Sequence, residues 1–182
     1  MVDERRMLSP MRSRAVALFA ACAVSAACGS QSPPESARPG KTRLEFAPLS
    51  AEIVSPYYGG LEKPVQRVVA SREEWEQLWR EIEPRTSREQ GQTAPNPVPD
   101  IDFDRYALVV AAMGTRPTGG YTVAVVSLEE SEQRIVITVE EKSAGAKCTT
   151  TQAVTHPIAI VTTAKTQKRF EFETVRTIQE CS

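Results

Sequence analysis

Three carboxylates at alternate positions, Asp100, Asp102 and Asp104, are the first residues whose spacing could do chemistry. They match the opening ligand positions of a calcium loop, which also needs a glycine at its sixth position and a bidentate glutamate at its twelfth. Those places hold Arg105 and Ala111, so the carboxylates read as solvated charges leading into a strand. Gly114 and Gly119 are spaced like the glycines of a phosphate loop. Such a loop continues with Lys and Ser or Thr and opens a helix. Here Gly120 and Tyr121 follow, and strand-like sequence comes next, so the phosphate reading fails. His156 is the only histidine. One imidazole cannot build a typical zinc site, and it is the only histidine base open to any hydroxyl or thiol nucleophile. Its place before Pro157 suggests a structural or surface role. Cys148 activated by His156 is a poorer reading than a disulfide, and a hydrolase built on paired carboxylates stays open. No metal, no other cofactor and no enzymatic activity are expected.

The segment Gly114-Thr115-Arg116-Pro117-Thr118-Gly119-Gly120-Tyr121 is more informative as a turn. It stands between two apolar runs, Tyr106–Met113 and Tyr121–Val126, and its glycines and proline mark special backbone angles. An arginine at the tip of such a turn is expected to be displayed. Read as a docking site, Arg116 offers charge-assisted hydrogen bonds, Pro117 a fixed backbone and Tyr121 an amphipathic surface, with Thr118, Gly119 and Gly120 between them. Read as structure alone, Gly119 and Gly120 satisfy a tight turn and Tyr121 packs on tryptophans elsewhere. Both readings are open at this point.

The elements around the turn are legible. Val65–Val69 is a strand leading to Ser71 and Glu74, which form a capping box. Trp75, Leu78, Trp79 and Ile82 then fall on one helical stripe, expected to bury both tryptophans against a sheet, and Pro84 is expected to stop the helix. Thr86–Pro99, with Pro95, Pro97 and Pro99, reads as an extended loop. The unbroken apolar run Tyr106–Met113 suggests a strand buried on both faces. Tyr121–Leu128, Arg134–Glu140, Ala153–Thr163 and Phe170–Val175 supply further strands, with Ile135, Ile137 and Val139 on one face and Phe170 and Phe172 together. Pro157 places its strand at an edge or a bulge. The fold class expected is α+β, mainly β: a largely antiparallel sheet with one N-terminal amphipathic helix packed on it.

The first residues set the compartment. Arg5, Arg6, Arg12 and Arg14 precede the apolar Ala15–Ala27, a signal-peptide pattern too short to span a bilayer of ~30 Å. Ser25-Ala26-Ala27-Cys28 reads as a lipobox, with Cys22 as the competing site, so residues 1–27 are the signal and Cys28 the lipidated residue. A tether runs from Cys28 to Arg43, and residues 44–182, about 140 in all, form one domain. Gly29 after the cysteine favours the outer membrane in a two-membrane host. Removing the signal takes away four arginines, one aspartate and one glutamate, which moves the net charge from -1 to -3. A weakly acidic domain has no footprint for nucleic acid. Of four cysteines, Cys148 and Cys181 are then left as an even pair in an oxidising compartment, expected to form a disulfide worth ~3 kcal/mol.

The helix Ser71–Trp79, the run Pro99–Phe103 and the turn Gly114–Tyr121 occur in an order that resembles the PrcB C-terminal domain family, over roughly Tyr57 to Val175. The family is named for a lipoprotein subunit of a bacterial surface protease complex. The resemblance implies a non-catalytic accessory lipoprotein of the cell envelope that binds or stabilises a protein partner, with a protease as one candidate. It brings no catalytic residues with it. A β module for small ligands or cell-wall glycans is the alternative, followed by a cryptic hydrolase; partner identity and oligomeric state are not written in the sequence.

Overall fold

The structure is a computed structural model that describes residues 41–51, 53–89 and 97–181. The expected signal, Cys28 and most of the tether lie outside these residues. Among the described residues, eight strands and one helix follow in the order β1 (Thr42–Arg43), β2 (Phe46–Pro48), β3 (Val65–Val69), α1 (Arg72–Glu89), β4 (Tyr106–Ala112), β5 (Thr122–Glu130), β6 (Arg134–Ala144), β7 (Ile158–Ala164) and β8 (Arg169–Gln179). No helix among the described residues is long and apolar enough to cross a membrane.

The strands form two sheets where one was expected. Their orders are β1-β5-β6-β8 and β2-β7-β4-β3. The apolar sequence explains the division. On β4, Val109 and Ala111 face one core while Leu108, Val110 and Ala112 face another, all nearly inaccessible to water. A strand apolar on both sides needs cover on both. On one side lie Val125 and Leu128 of β5 and Ile135, Ile137 and Val139 of β6, with Phe170 and Phe172 of β8 packed against them. On the other lie Trp75, Leu78, Trp79 and Ile82 of α1. The result is three layers: sheet, sheet, helix. Gln66 of β3 donates to the Thr174 hydroxyl of β8 at 2.8 Å, joining the two sheets along one margin.

The helix begins as its sequence dictates. The Ser71 hydroxyl accepts the Glu74 amide at 3.2 Å, and the Glu74 carboxylate accepts the Ala70 amide at 2.9 Å. Arg72 bonds Asp100 at 2.8 Å and Glu76 at 3.0 Å, which ties the helix start to the chain ahead of β4. These bonds, Asp100 foremost, hold its guanidinium above its ordinary pKa. The helix does not stop at Pro84, and its last turns take Thr86–Glu89 from the expected loop. An interior proline removes one amide donor and crowds the carbonyl four residues back, a cost of ~3 kcal/mol, yet its φ is helical and the helix runs through it.

The sheets are largely antiparallel, as expected, while the edge placement expected for the strand after Pro157 changes. All strand pairs are antiparallel except β6 with β8, which is parallel in unbroken register from Arg134↔Arg169 to Ala144↔Gln179. The chain leaves β6 for β7 in the other sheet before it returns as β8, and this detour permits the parallel pairing. β7 sits between β2 and β4, away from an edge, and begins after Pro157. Pro157 therefore costs the ladder nothing, and its carbonyl accepts the Met113 amide at 3.0 Å.

Candidate functional site

Because β4 and β5 belong to different sheets, Gly114–Tyr121 is a crossover between layers rather than a hairpin turn. Its backbone is fixed along most of its length. The Thr115 amide donates to the Glu62 carbonyl at 3.0 Å. Arg116 and Thr155 exchange two backbone bonds of 2.8 and 2.9 Å, and the Gly119 amide donates to Thr151 at 2.9 Å. The Thr155 hydroxyl adds a bond to the Thr118 carbonyl at 2.9 Å.

Two glycines make this path possible. Gly114 and Gly120 have φ of 74° and 83°, which side chains disfavour. A β-carbon on Gly114 would stand 2.8 Å from the Glu62 carbonyl oxygen, and one on Gly120 would stand 2.8 Å from methyl groups of Ala144 and Thr150. Gly119 has an ordinary φ, and its need for a bare backbone comes from Thr151.

Arg116 is half-buried, which corrects the expectation of an arginine held out at a tip. Its Nε is shut off from solvent and has no hydrogen-bond partner. Its guanidinium carbon lies 5.6 Å from the centre of the Tyr121 ring. Tyr121 therefore stacks under Arg116, and it takes no part in the cluster around Trp75 and Trp79. Those tryptophans are core residues, 5.4 Å apart and tilted at 54°. Trp75 donates its indole N–H to the Pro99 carbonyl at 2.9 Å. Pro117 and Gly120 are the exposed members of the crossover beside Thr115, while Thr118 and Gly119 are half-buried.

Two clefts flank the crossover. The first, about 470 Å³, lies between Arg116, Pro117 and Tyr121 on one wall and the last residues of β6 and β8 on the other. The second, about 460 Å³, is uncharged and is lined by Gly119 and Gly120, by Thr150 and Thr151 packed directly on them, and by Tyr57, Tyr58 and Thr149. The disulfide Cys148–Cys181 closes that second cleft, with Cα atoms 5.1 Å apart. It anchors the end of β8, where the Gly145 amide also donates to the Gln179 carbonyl at 2.9 Å. With Cys148 bonded, no thiolate exists there for His156 to activate. His156 is buried, and its backbone is pinned: its amide donates to the Tyr57 carbonyl at 2.7 Å and its carbonyl accepts the Gly59 amide at 2.9 Å.

The three aspartates do local work. Asp100 pairs with Arg72, and the Asp102 carboxylate accepts the Asp104 amide at 3.1 Å. The Asp102 carbonyl accepts the Tyr106 amide at 2.9 Å, which starts β4.

Sequence reasoning missed the other residues that line both clefts. Glu141, Arg176 and Ile178 on one side, and Tyr57, Tyr58 and Thr149–Thr151 on the other, come to the crossover only through strand pairing and loop closure. A charged Glu141 interrupting the inward face of β6, opposite Arg176 in register, was the one available signal.

The fold and site thus define a layered β domain with a pinned crossover between two clefts. Residues 107–164, from β4 to the end of β7, match the family model described as PrcB C-terminal, the family that the motifs resemble. The match includes the crossover and the 151–155 segment that holds it, and leaves out α1 and Cys181. No curated protein and no solved structure matches the chain.

Proposed function

We propose that this protein is a non-catalytic lipoprotein of the cell envelope, anchored through Cys28, that serves as an accessory subunit and docks a protein partner at Arg116, Pro117, Thr118, Gly119, Gly120 and Tyr121. The observation that carries the reading is Arg116: a guanidinium set in a pinned backbone, stacked on Tyr121, with no ion pair among the described residues. Rigid backbone lowers the ordering cost of binding, and a half-buried arginine on an aromatic ring is a common anchor at interfaces. The match to the PrcB C-terminal family supports an accessory role in a protease complex. The lipobox-like Ser25-Ala26-Ala27-Cys28 supports the anchor. Co-purification from mildly solubilised membranes tests the docking. A mass increment on Cys28, lost in Cys28→Ala, tests the lipid.

The uncharged cleft favours a second reading, a module for neutral glycans. Threonine hydroxyls, two tyrosines and Gln179 line one wall system there, and Tyr57 is half-exposed at 49 %. Sugars bind by stacking on such rings and by hydrogen bonds to such hydroxyls. A titration with cell-wall saccharides in which Tyr57→Ala binds as well as the native chain would remove this reading.

A further inference from the structure

We infer that the cleft beside Arg116 is a binding site for a peptide carboxylate flanked by an apolar residue. The inference rests on the docking reading above and names the chemistry that would be recognised there. Lys142, Arg176, Arg116 and Glu141 are the charged residues that line the cleft. Arg176 is already paired with Glu141 at 3.0 Å, and Lys142 with Glu140 at 3.0 Å. Each of those cations has its counter-ion. Arg116 has none among the described residues, so the cleft carries one uncompensated positive charge.

That balance selects the ligand. A partly buried cation without a partner is costly and attracts an anion. A single free guanidinium fits the single charge and paired oxygens of a carboxylate, which it can grip through two parallel hydrogen bonds. A doubly charged phosphate would want more free donors than the cleft leaves. The Tyr121 ring takes up a face of the guanidinium, whereas a carboxylate engages its edge, so stack and ion pair can coexist.

Beside the charged groups the wall is mixed, with Ser143 and Thr177 next to the apolar Met113, Pro117 and Ile178. Ile178 projects from the end of β8 at 66 % exposure, unusual for an isoleucine, and the buried Met113 also lines the cleft. A peptide that placed its carboxylate on Arg116 would bring its neighbouring side chain against these two residues. The volume, about 470 Å³, lies within the ~300–1,000 Å³ range of sites for small ligands. Arg67 also has a buried Nε without a partner, but neither cleft beside the crossover includes it.

The test uses the full chain in detergent and three labelled tripeptides read by fluorescence anisotropy: Ala-Ile-Leu as the free acid, the same peptide as the C-terminal amide, and Ala-Ile-Glu amide. One or both acids should bind about tenfold or more tighter than the neutral amide. A preference for the free acid assigns the site to a chain terminus, and a preference for the glutamate peptide assigns it to an internal acidic residue. Arg116→Gln should erase the preference. Ile178→Asp, at an exposed position that leaves the core alone, should weaken acid binding even if Arg116→Gln misfolds. Equal binding of acid and amide, or competition by inorganic phosphate as strong as by acetate, would overturn the inference. A partner that co-purifies through Arg116 without any acid preference would sink the carboxylate chemistry and leave the docking reading intact. An acid preference without any co-purified partner would do the reverse.

Discussion

Arg116 stands over Tyr121, with its guanidinium carbon 5.6 Å from the ring centre and its Nε sealed from solvent without a partner. The two facts pull in opposite directions. The ring contact stabilises the fold by about 0.5–1 kcal/mol, whereas an unsatisfied buried donor costs about 1–3 kcal/mol. Arg116→Met, which keeps the stem and removes the donors, should leave thermal stability unchanged or raise it slightly. A loss of several degrees in a thermal melt would show that the arginine is structural, contrary to its assignment as a docking group.

The glycines of the crossover should rank by what surrounds them. Gly114→Ala puts a β-carbon against fixed backbone at a φ of 74° and should cost at least about 2 kcal/mol. Gly120→Ala, at a φ of 83°, meets the Thr150 methyl, which can turn away, and the Ala144 methyl, which moves only with the β6 backbone, and should cost about 1–2 kcal/mol. Gly119→Ala has an ordinary backbone and faces the Thr151 hydroxyl, which can turn away, so its effect should be the smallest. Urea melts of the three variants check the order.

The disulfide should matter to the site as well as to stability. Cys148–Cys181 closes a separation of 33 residues and borders the cleft that Gly119 and Gly120 share. In the chain-entropy model such a loop is worth about 3–4 kcal/mol. Cys148→Ser with Cys181→Ser should lower stability by an amount of that order. Hydrogen exchange should quicken at the end of β8 around Gln179 before it quickens in β6. Uniform loosening would contradict an anchor role.

The start and buried face of the helix were the most legible parts of the chain, because their signals are local, whereas Pro84 misplaced its end. Ser71, Glu74 and the apolar stripe all act within a few residues of one another. Strand positions were legible for the same reason, and the alternation of Ile135, Ile137 and Val139 identified a buried face directly. Partnership between strands was not legible. Nothing in Tyr106–Met113 or Tyr121–Leu128 says that the two runs enter different sheets, so the segment between them read as a turn with its arginine outside. The parallel return of β8 beside β6 depends on where β7 goes, a relation among distant segments. The docking residues were visible by type, but their setting was not: the Tyr121 ring under Arg116 and the walls of both clefts are products of that long-range pairing.

Helix attachment gives a prediction independent of the site. Trp75→Phe keeps most of the buried ring but leaves the Pro99 carbonyl without its 2.9 Å donor, at about 1–3 kcal/mol. Ser71→Ala removes the cap and should cost about 0.5–2 kcal/mol. Both losses should appear in thermal melts while binding at the crossover, whose two clefts are lined by no residue of α1's apolar stripe, persists. If either variant abolished binding without unfolding the protein, the helix would have to be counted as part of the docking surface.

The central claim is that a tethered accessory subunit docks its partner through Arg116. Mass spectrometry of proteins that co-purify with the tagged chain from mildly solubilised membranes tests it most directly, run beside Arg116→Glu with the fold of the variant verified by circular dichroism. Docking through Arg116 requires one dominant partner in the native sample and its loss in the variant. A partner retained at the same yield by a folded Arg116→Glu protein, or no partner in either sample, would contradict it.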